Sequence, residues 1–436
     1  MRTIWKMIAV ILAATVLLSG CGLLTLEELY CPPKRSEDYD NLQSVIDKAM
    51  RDLTYCAPIS GENQQAVQTA DLDGDGVDEY LLFAQDSSET PLKILIFCQL
   101  ASGYMLMDTI EGYGFAFEFV EYAQMDDRDG VEIIVSRQVS EELARSVSVY
   151  RFTSGFSQQL LSVSCARAEV DDLDGDDTSE LLLLKAGESE RGNGMLMLYD
   201  FVDGEFERSE VTNISQPVSA LQRMELSRLT DGTKAVFVTS VAEDSALVVD
   251  TFALSEGKLN PVHMAMRIPG IRNYLLFPAD MNEDGVLELA KPVEIHNMEQ
   301  SGKPEYVIIW QALNHDGSLV EKTYTYQQFT NGWYLFLREQ WLGNIAVEQT
   351  EDACIFYMRQ AEEQEFEKVF TIFTLTGSDR EEQAALEGRI VLYKTESIIF
   401  AAKLEEQAGD FYITDYMLQR QFRPIRMERN LDNKED

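Results

Sequence analysis

The chain has 436 residues, 45% of them hydrophobic, and a formal net charge of −39, which describes a packed protein of at least two folded units rather than a disordered one. That acidity excludes nucleic acid as a partner, because phosphate binding needs clustered Lys and Arg that release counterions, and it disfavours adsorption of the bare polypeptide to anionic lipid. Most single carboxylates in such a chain only solvate its surface.

The N-terminus reads differently from the rest. Arg2 and Lys6 precede an apolar run from Met7 to Leu18, too short for a spanning helix, which needs ~20 residues, and typical of a secretory leader. Leu18-Ser19-Gly20-Cys21 follows and resembles the lipobox of bacterial lipoproteins. The resemblance implies a signal peptide over 1–20, diacylglycerol on the Cys21 thiol, and a protein tethered by its acyl chains to the outer side of the cell membrane. Residues 21–58 then supply the lipidated cysteine, a tether with Pro32 and Pro33, and an amphipathic helix. Its apolar positions Tyr39, Leu42, Ile46, Ala49, Met50 and Leu53 recur at helical spacing behind Ser36, an N-cap residue. The remaining cysteines, Cys31, Cys56, Cys98, Cys165 and Cys354, are odd in number and show no zinc spacing. Cys31 and Cys56 flank the helix, so a disulfide between them is one option; Cys98 and Cys165 read as buried thiols.

From residue 59 the chain becomes strand-like and repeats. One marker is an acidic loop: "ADLDGDGVDEYLLFA" (70–84), "DDLDGDDTSELLLL" (171–184) and "ADMNEDGVLELA" (279–290), with worn versions at "AQMDDRDGVEIIV" and "SRLTDGTKAVFV". The other is a hairpin with a turn glycine, at Gly103, Gly155, Gly204, Gly257 and Gly317. Two markers on one period of ~50 residues mean five copies of a unit: a strand before the acidic loop, a strand after it, then the hairpin pair. This pattern predicts a mainly β protein, a β-propeller of about five four-stranded blades over 59–328.

After Phe329 the period breaks. "NGWYLFLREQWLGNIAVEQ", "ACIFYMRQ" and "FEKVFTIFTL" read as strands, 378–387 as a helix, "GRIVLYKTESIIFAAKL" as a hairpin and 414–422 as a closing helix. A small α+β domain is expected over 329–425, with a polar tail over 426–436.

The loop D-x-D-G-D-G-x-x-E between two strands resembles the FG-GAP or VCBS repeat of integrin-type propellers, strongly in three units and weakly in the second and fourth. The C-terminal region is similar to the module that accompanies such propellers in envelope lipoproteins of Clostridium-like bacteria. Calcium takes six to eight oxygens, largely carboxylates and main-chain carbonyls. Asp71, Asp73, Asp75 and Glu79 with the Val77 carbonyl fit that demand. So do Asp172, Asp174, Asp176 and Glu180 with the Thr178 carbonyl, and Asp280, Asn282, Asp284 and Glu288 with the Val286 carbonyl. An EF-hand is excluded, since position 12 is Leu82, Leu183 or Lys291 rather than Glu and the flanks are strands. Without an ion, two like charges ~4 Å apart repel by ~1 kcal/mol in water and ~4 at an effective dielectric of 20. The second and fourth loops, having lost the spacing, are expected to bind nothing.

No catalytic signature stands out. The three histidines, His263, His296 and His315, lie in different repeats, and G-x-S-x-G, P-loop, dinucleotide and HExxH patterns are absent. The expected function is a non-enzymatic envelope lipoprotein whose calcium-stiffened propeller presents loops to a protein partner. A glycan is the less favoured ligand because only four tryptophans, Trp5 in the leader among them, offer stacking platforms. The alternative is an envelope enzyme or accessory subunit, hydrolase-like, with its site in the propeller mouth or the C-terminal domain.

Overall fold

The computed structural model describes residues 37–425 apart from 127, 141–143, 188–191, 203, 256–257, 300–302 and 360–364. The leader, the lipidation residue Cys21, Cys31, the hairpin glycine Gly257 and the tail lie outside the described residues. Among the described residues no helix is long and apolar enough to cross a membrane.

The amphipathic stretch forms helix α1, Glu37–Ala49. Sheet one contains β1 (Thr54–Tyr55), β2 (Val67–Ala70), β3 (Glu79–Gln85), β4 (Leu92–Leu100) and β5 (Gly103–Gly112), with β1 and β2 sharing one edge of β3. Three four-stranded antiparallel meanders follow. Sheet two is β6 (Ala116–Ala123), β7 (Glu132–Gln138), β8 (Arg145–Thr153) and β9 (Phe156–Cys165). Sheet three is β10 (Arg167–Asp171), β11 (Glu180–Lys185), β12 (Met195–Val202) and β13 (Glu205–Asn213). Sheet four is β14 (Leu221–Arg228), β15 (Lys234–Val241), β16 (Leu247–Ser255) and β17 (Lys258–Ile268). The fold is thus mainly β, built from repeated antiparallel sheets, with the hairpin glycines Gly103, Gly155, Gly204 and Gly317 all at positive φ, where a side chain would be strained.

The second strand of each sheet explains the stacking. Successive side chains of a strand point to opposite faces, and these strands are apolar on both faces. On β3, Leu82 and Ala84 pack beneath Leu42 and Ile46 of α1, while Leu81 and Phe83 face sheet two. On β7, Ile133 and Val135 return that contact and Ile134 faces sheet three. On β11, Leu181 and Leu183 turn back and Leu182 and Leu184 turn forward. On β15, Val236 and Val238 meet sheet three, and Ala235 and Phe237 meet the fifth unit. The apolar clusters thus join each sheet to the next in chain order. Among the described residues no buried apolar cluster joins sheet one to the fifth unit.

The fifth unit departs from the pattern. Its strand before the acidic loop shrinks to a single bridge between Ala279 and Glu288. Its remaining strands, β18 (Glu288–Asn297), β19 (Glu305–Leu313), β20 (Leu319–Gln328) and β21 (Trp333–Phe336), continue into β22 (Ile345–Gln349), β23 (Ala353–Met358), β24 (Glu367–Leu375), β25 (Arg389–Lys394), β26 (Ile399–Leu404) and β27 (Phe422–Pro424). All ten are one hydrogen-bonded sheet, ordered β25-β26-β24-β23-β22-β18-β19-β20-β21-β27. The boundary drawn at residue 328 therefore falls inside a sheet: β21 pairs with β20, and β22 pairs parallel with the end of β18. The expected helices are α2 (Arg380–Ala384) and α3 (Asp415–Gln421), the latter capped by Thr414, whose Oγ1 accepts from the Met417 amide at 3.3 Å. The sheet curls on a core containing Trp333, Trp341, Phe356 and Phe370, so that Phe400 near one edge lies 5.3 Å from Phe422 at the other.

Candidate functional site

Strand pairing fixes both ends of each acidic loop. Ala70 faces Glu79, Asp171 faces Glu180, and Ala279 faces Glu288. Between those anchors the aspartates fold back on their own amides, as short acidic side chains do in turns. In the first loop the Leu72 amide donates to Glu79 Oε2 at 3.0 Å, and the Gly74 and Gly76 amides donate to the two oxygens of Asp71 at 2.9 and 3.0 Å. The third loop repeats this, with Leu173 to Glu180 Oε2 and Gly175 to Asp172 Oδ1, both at 2.7 Å. In the fifth, Met281 donates to Glu288 Oε2 at 2.7 Å and Gly285 to Asp280 Oδ2 at 2.8 Å.

Carboxylate oxygens of Asp71, Asp73 and Glu79 lie within 4.8 Å of one another, as do those of Asp172, Asp174 and Glu180 and those of Asp280, Asp284 and Glu288. Asp75 and Asp176, expected in the shell, are not in these clusters; each accepts the amide two residues on, from Val77 at 2.8 Å and Thr178 at 2.9 Å. The fifth loop makes the matching bond, Val286 to Asp284 Oδ1 at 3.0 Å, yet keeps Asp284 in the cluster. Asn282 there accepts the Asp284 amide at 3.0 Å.

The closing glutamates carry the electrostatic signature. Glu79, Glu180 and Glu288 are 4%, 3% and 0% exposed. Burial pushes each carboxyl up to about 7; the amide hydrogen bond opposes the rise and the neighbouring aspartates add to it. Burial likewise raises Asp73 and Asp174, with Asp75 and Asp176 reinforcing it. Among the described residues the Oε1 of Glu288 is buried without a hydrogen-bond partner, a costly arrangement for an acceptor. An all-oxygen donor set of this charge fits a hard divalent cation such as Ca²⁺.

The second loop corrects one sequence expectation: its spacing survives and only its residue types change. Gln124, Asp126, Arg128 and Glu132 occupy the four ligand positions, and the Met125 amide donates to Glu132 Oε2 at 3.0 Å as in the other loops. The fourth loop is shorter, and Lys234, facing Arg228, stands where the others have Glu. The first two loops interlock. A Cβ on Gly130 would sit 2.5 Å from the Leu72 carbonyl oxygen, and one on Gly74 would sit 2.5 Å from Asp129 Cβ. The first three loops share an open depression of about 590 Å³ lined by Asp71, Asp126, Asp129, Asp176 and Asp177.

Sequence reasoning missed a second feature. The first strands β6, β10 and β14 border a cavity of about 370 Å³ that receives Glu118, Arg167, Glu169, Arg223 and Glu225. Burial, then nearby Glu121 and Glu225, push the Glu169 carboxyl up to about 8. Alternation along "RAEVD" is the only sequence sign of it. The histidines do not converge: His263 lies on β17, His296 stacks on Phe366 at 5.3 Å, and His315 sits 3.7 Å from Asp231. Cys165 is a buried thiol as expected, and so is Cys354, whereas Cys98 is only half-buried; Cys56 is half-buried and makes no disulfide among the described residues, its candidate partner Cys31 lying outside them.

No protein-family model and no curated protein matches the chain. Solved structures align at low similarity. A hypothetical selenium-binding protein from Sulfolobus tokodaii aligns at 12% identity and a TM-score of 0.29, over 47% of this chain and 55% of its own. A candidate 6-phosphogluconolactonase from Bacteroides uniformis aligns at 12% identity and a TM-score of 0.32, over 72% and 94%. Sqt1 from Saccharomyces cerevisiae aligns at 13% identity and a TM-score of 0.30, over 80% and 86%.

Proposed function

We propose that the chain is a lipid-anchored envelope lipoprotein of FG-GAP/VCBS type, with five propeller-like blades and a C-terminal α+β region, acting as a non-enzymatic binding scaffold. Calcium in the first, third and fifth loops stiffens it. The observation that carries this reading is the threefold recurrence of one carboxylate cluster closed by a buried glutamate, with Glu288 Oε1 left unpartnered in the fifth. The lipobox supports the tether, and the shared depression among the first three loops supports a protein partner on that face. The test is calorimetric titration of Ca²⁺ into chelator-treated protein alongside melts in EDTA. Three equivalents and a Tm raised by calcium are expected; no heat and an unchanged melt would reject the cation. Membrane release on Cys21→Ala checks the anchor.

A second reading, an envelope enzyme, draws on the Glu169 cavity, where burial pushes the carboxyl up to about 8 and Arg167 and Arg223 line the same walls. Loss of a hydrolytic activity on Glu169→Gln, with calcium stoichiometry intact, would favour it.

A further inference from the structure

The loops can be compared at one more position, on the third strand of each sheet. Tyr80 faces Phe97, Ile133 faces Tyr150, Leu181 faces Tyr199 and Leu289 faces Gln311. The next residue along the third strand stands beside the loop's closing glutamate, and it is Cys98, Arg151, Asp200 or Ala312 in turn. Only the second sheet puts a cation there. The Arg151 Nε donates to Glu132 Oε1 at 2.9 Å, and its Nη2 donates to Asp126 Oδ2. All three side chains are nearly buried, at 10%, 6% and 7% exposure for Arg151, Glu132 and Asp126. The guanidinium also lies over the Phe201 ring of sheet three, 4.9 Å from its centroid. Arg128, the loop's own cation, is 65% exposed and reaches only Asp126, at 3.6 Å.

We infer that the Arg151 guanidinium is the built-in cation of the second loop, bridging the two acids that survive from the ligand set and closing the loop with no metal. The inference rests on reading the other loops as cation sites. It makes the junction of sheets two and three indifferent to chelators, while the first and third loops on either side of it depend on the ion. A guanidinium suits the post because it stays charged at every accessible pH and presents a planar fork to two carboxylates. Lys234 plays a related part next door. It replaces the closing glutamate of the fourth loop, and its Nζ reaches Asp171 Oδ1 at 3.1 Å and the Asp172 carbonyl.

The test uses the full chain in EDTA at pH 8. Arg151→Met, which strands two buried carboxylates, is expected to lower Tm by roughly 5 °C or more. Adding Asp126→Asn and Glu132→Gln to Arg151→Met should restore at least half of the loss, which simple lost packing would not allow. With calcium, Gln124→Asp plus Arg128→Asp should bind no more ion than the wild type, and adding Arg151→Ala should gain one equivalent. The inference falls if Arg151→Met melts like the wild type, if neutralising the acids restores nothing, or if the Gln124→Asp/Arg128→Asp chain gains a site with Arg151 in place. A wild type that binds no calcium while the EDTA series behaves as expected would sink the reading of the other loops and uphold the role of Arg151.

Discussion

The Met281 amide donates to Glu288 Oε2 at 2.7 Å, while Glu288 Oε1, equally buried, has no partner among the described residues. One half of the carboxylate closes the turn and the other half is available to a ligand. Glu288→Gln should therefore have opposite effects in two buffers. In EDTA at pH 8 it removes a disfavoured buried charge and leaves Tm unchanged or raised. In saturating calcium it should lose one equivalent and with it up to about 2.7 kcal/mol of ligand stabilisation at a hundredfold excess over Kd. Equal shifts in both buffers would contradict a ligand role.

Acidity provides a second check. Without a cation, Glu79, Glu180 and Glu288 keep their protons in the folded protein up to about pH 7, from a reference of 4.5. Between those values the native state binds more protons than the unfolded chain. Its stability is then full below the reference value and is lost as pH rises through the folded one. Melts in EDTA should decline from pH 5 to pH 8, and the rise produced by calcium should widen over the same interval. A calcium increment that stays constant with pH counts against the assignment.

Gly130→Ala tests the interlock between the first two loops. The residue has φ of +96°, and a Cβ would meet the Leu72 carbonyl oxygen at 2.5 Å. The strained backbone alone costs about 1–3 kcal/mol, and moving Leu72 disturbs the amide that orients Glu79. The urea midpoint should fall, and calcium affinity should weaken at the first loop while the fifth is unaffected.

Trp333→Ala asks whether the C-terminal strands stand alone. Trp333 is fully buried and lies on β21, the strand that links β20 to β27. Truncation should cost about 3–5 kcal/mol and shift the unfolding of the fifth unit together with that of the strands after it. Two separate transitions, of which only the later one moves, would restore the boundary at residue 328.

The repeated unit was legible because its marks are local: an acidic loop between two strands and a hairpin glycine recur along the chain, and α1 shows an unbroken helical stripe. That Glu79, Glu180 and Glu288 return to the first Asp of each loop was legible for the same reason, since that spacing is set by one tight turn. What could not be read depends on pairing across distance. Arg151 lies nineteen residues beyond Glu132, so its approach depends on strand register. The exclusion of Asp75 and Asp176 from the clusters depends on where a side-chain oxygen turns once an amide competes for it. The merging of the fifth unit with the later strands depends on β18 pairing with β22, and neither segment announces the other. Glu169 reads as one more acid until its neighbours on β6 and β14 surround it.

Among the described residues the apolar clusters join each sheet to its neighbours in chain order, with α1 packed on sheet one and the later strands continuing the sheet of the fifth unit. If the N-terminus is anchored as proposed, tension on the chain would pass through those junctions in turn. Such a chain should yield under pulling in discrete steps, and if the proposed cation sites fill, calcium should raise the force of some of them while leaving the Arg151-closed bend unchanged.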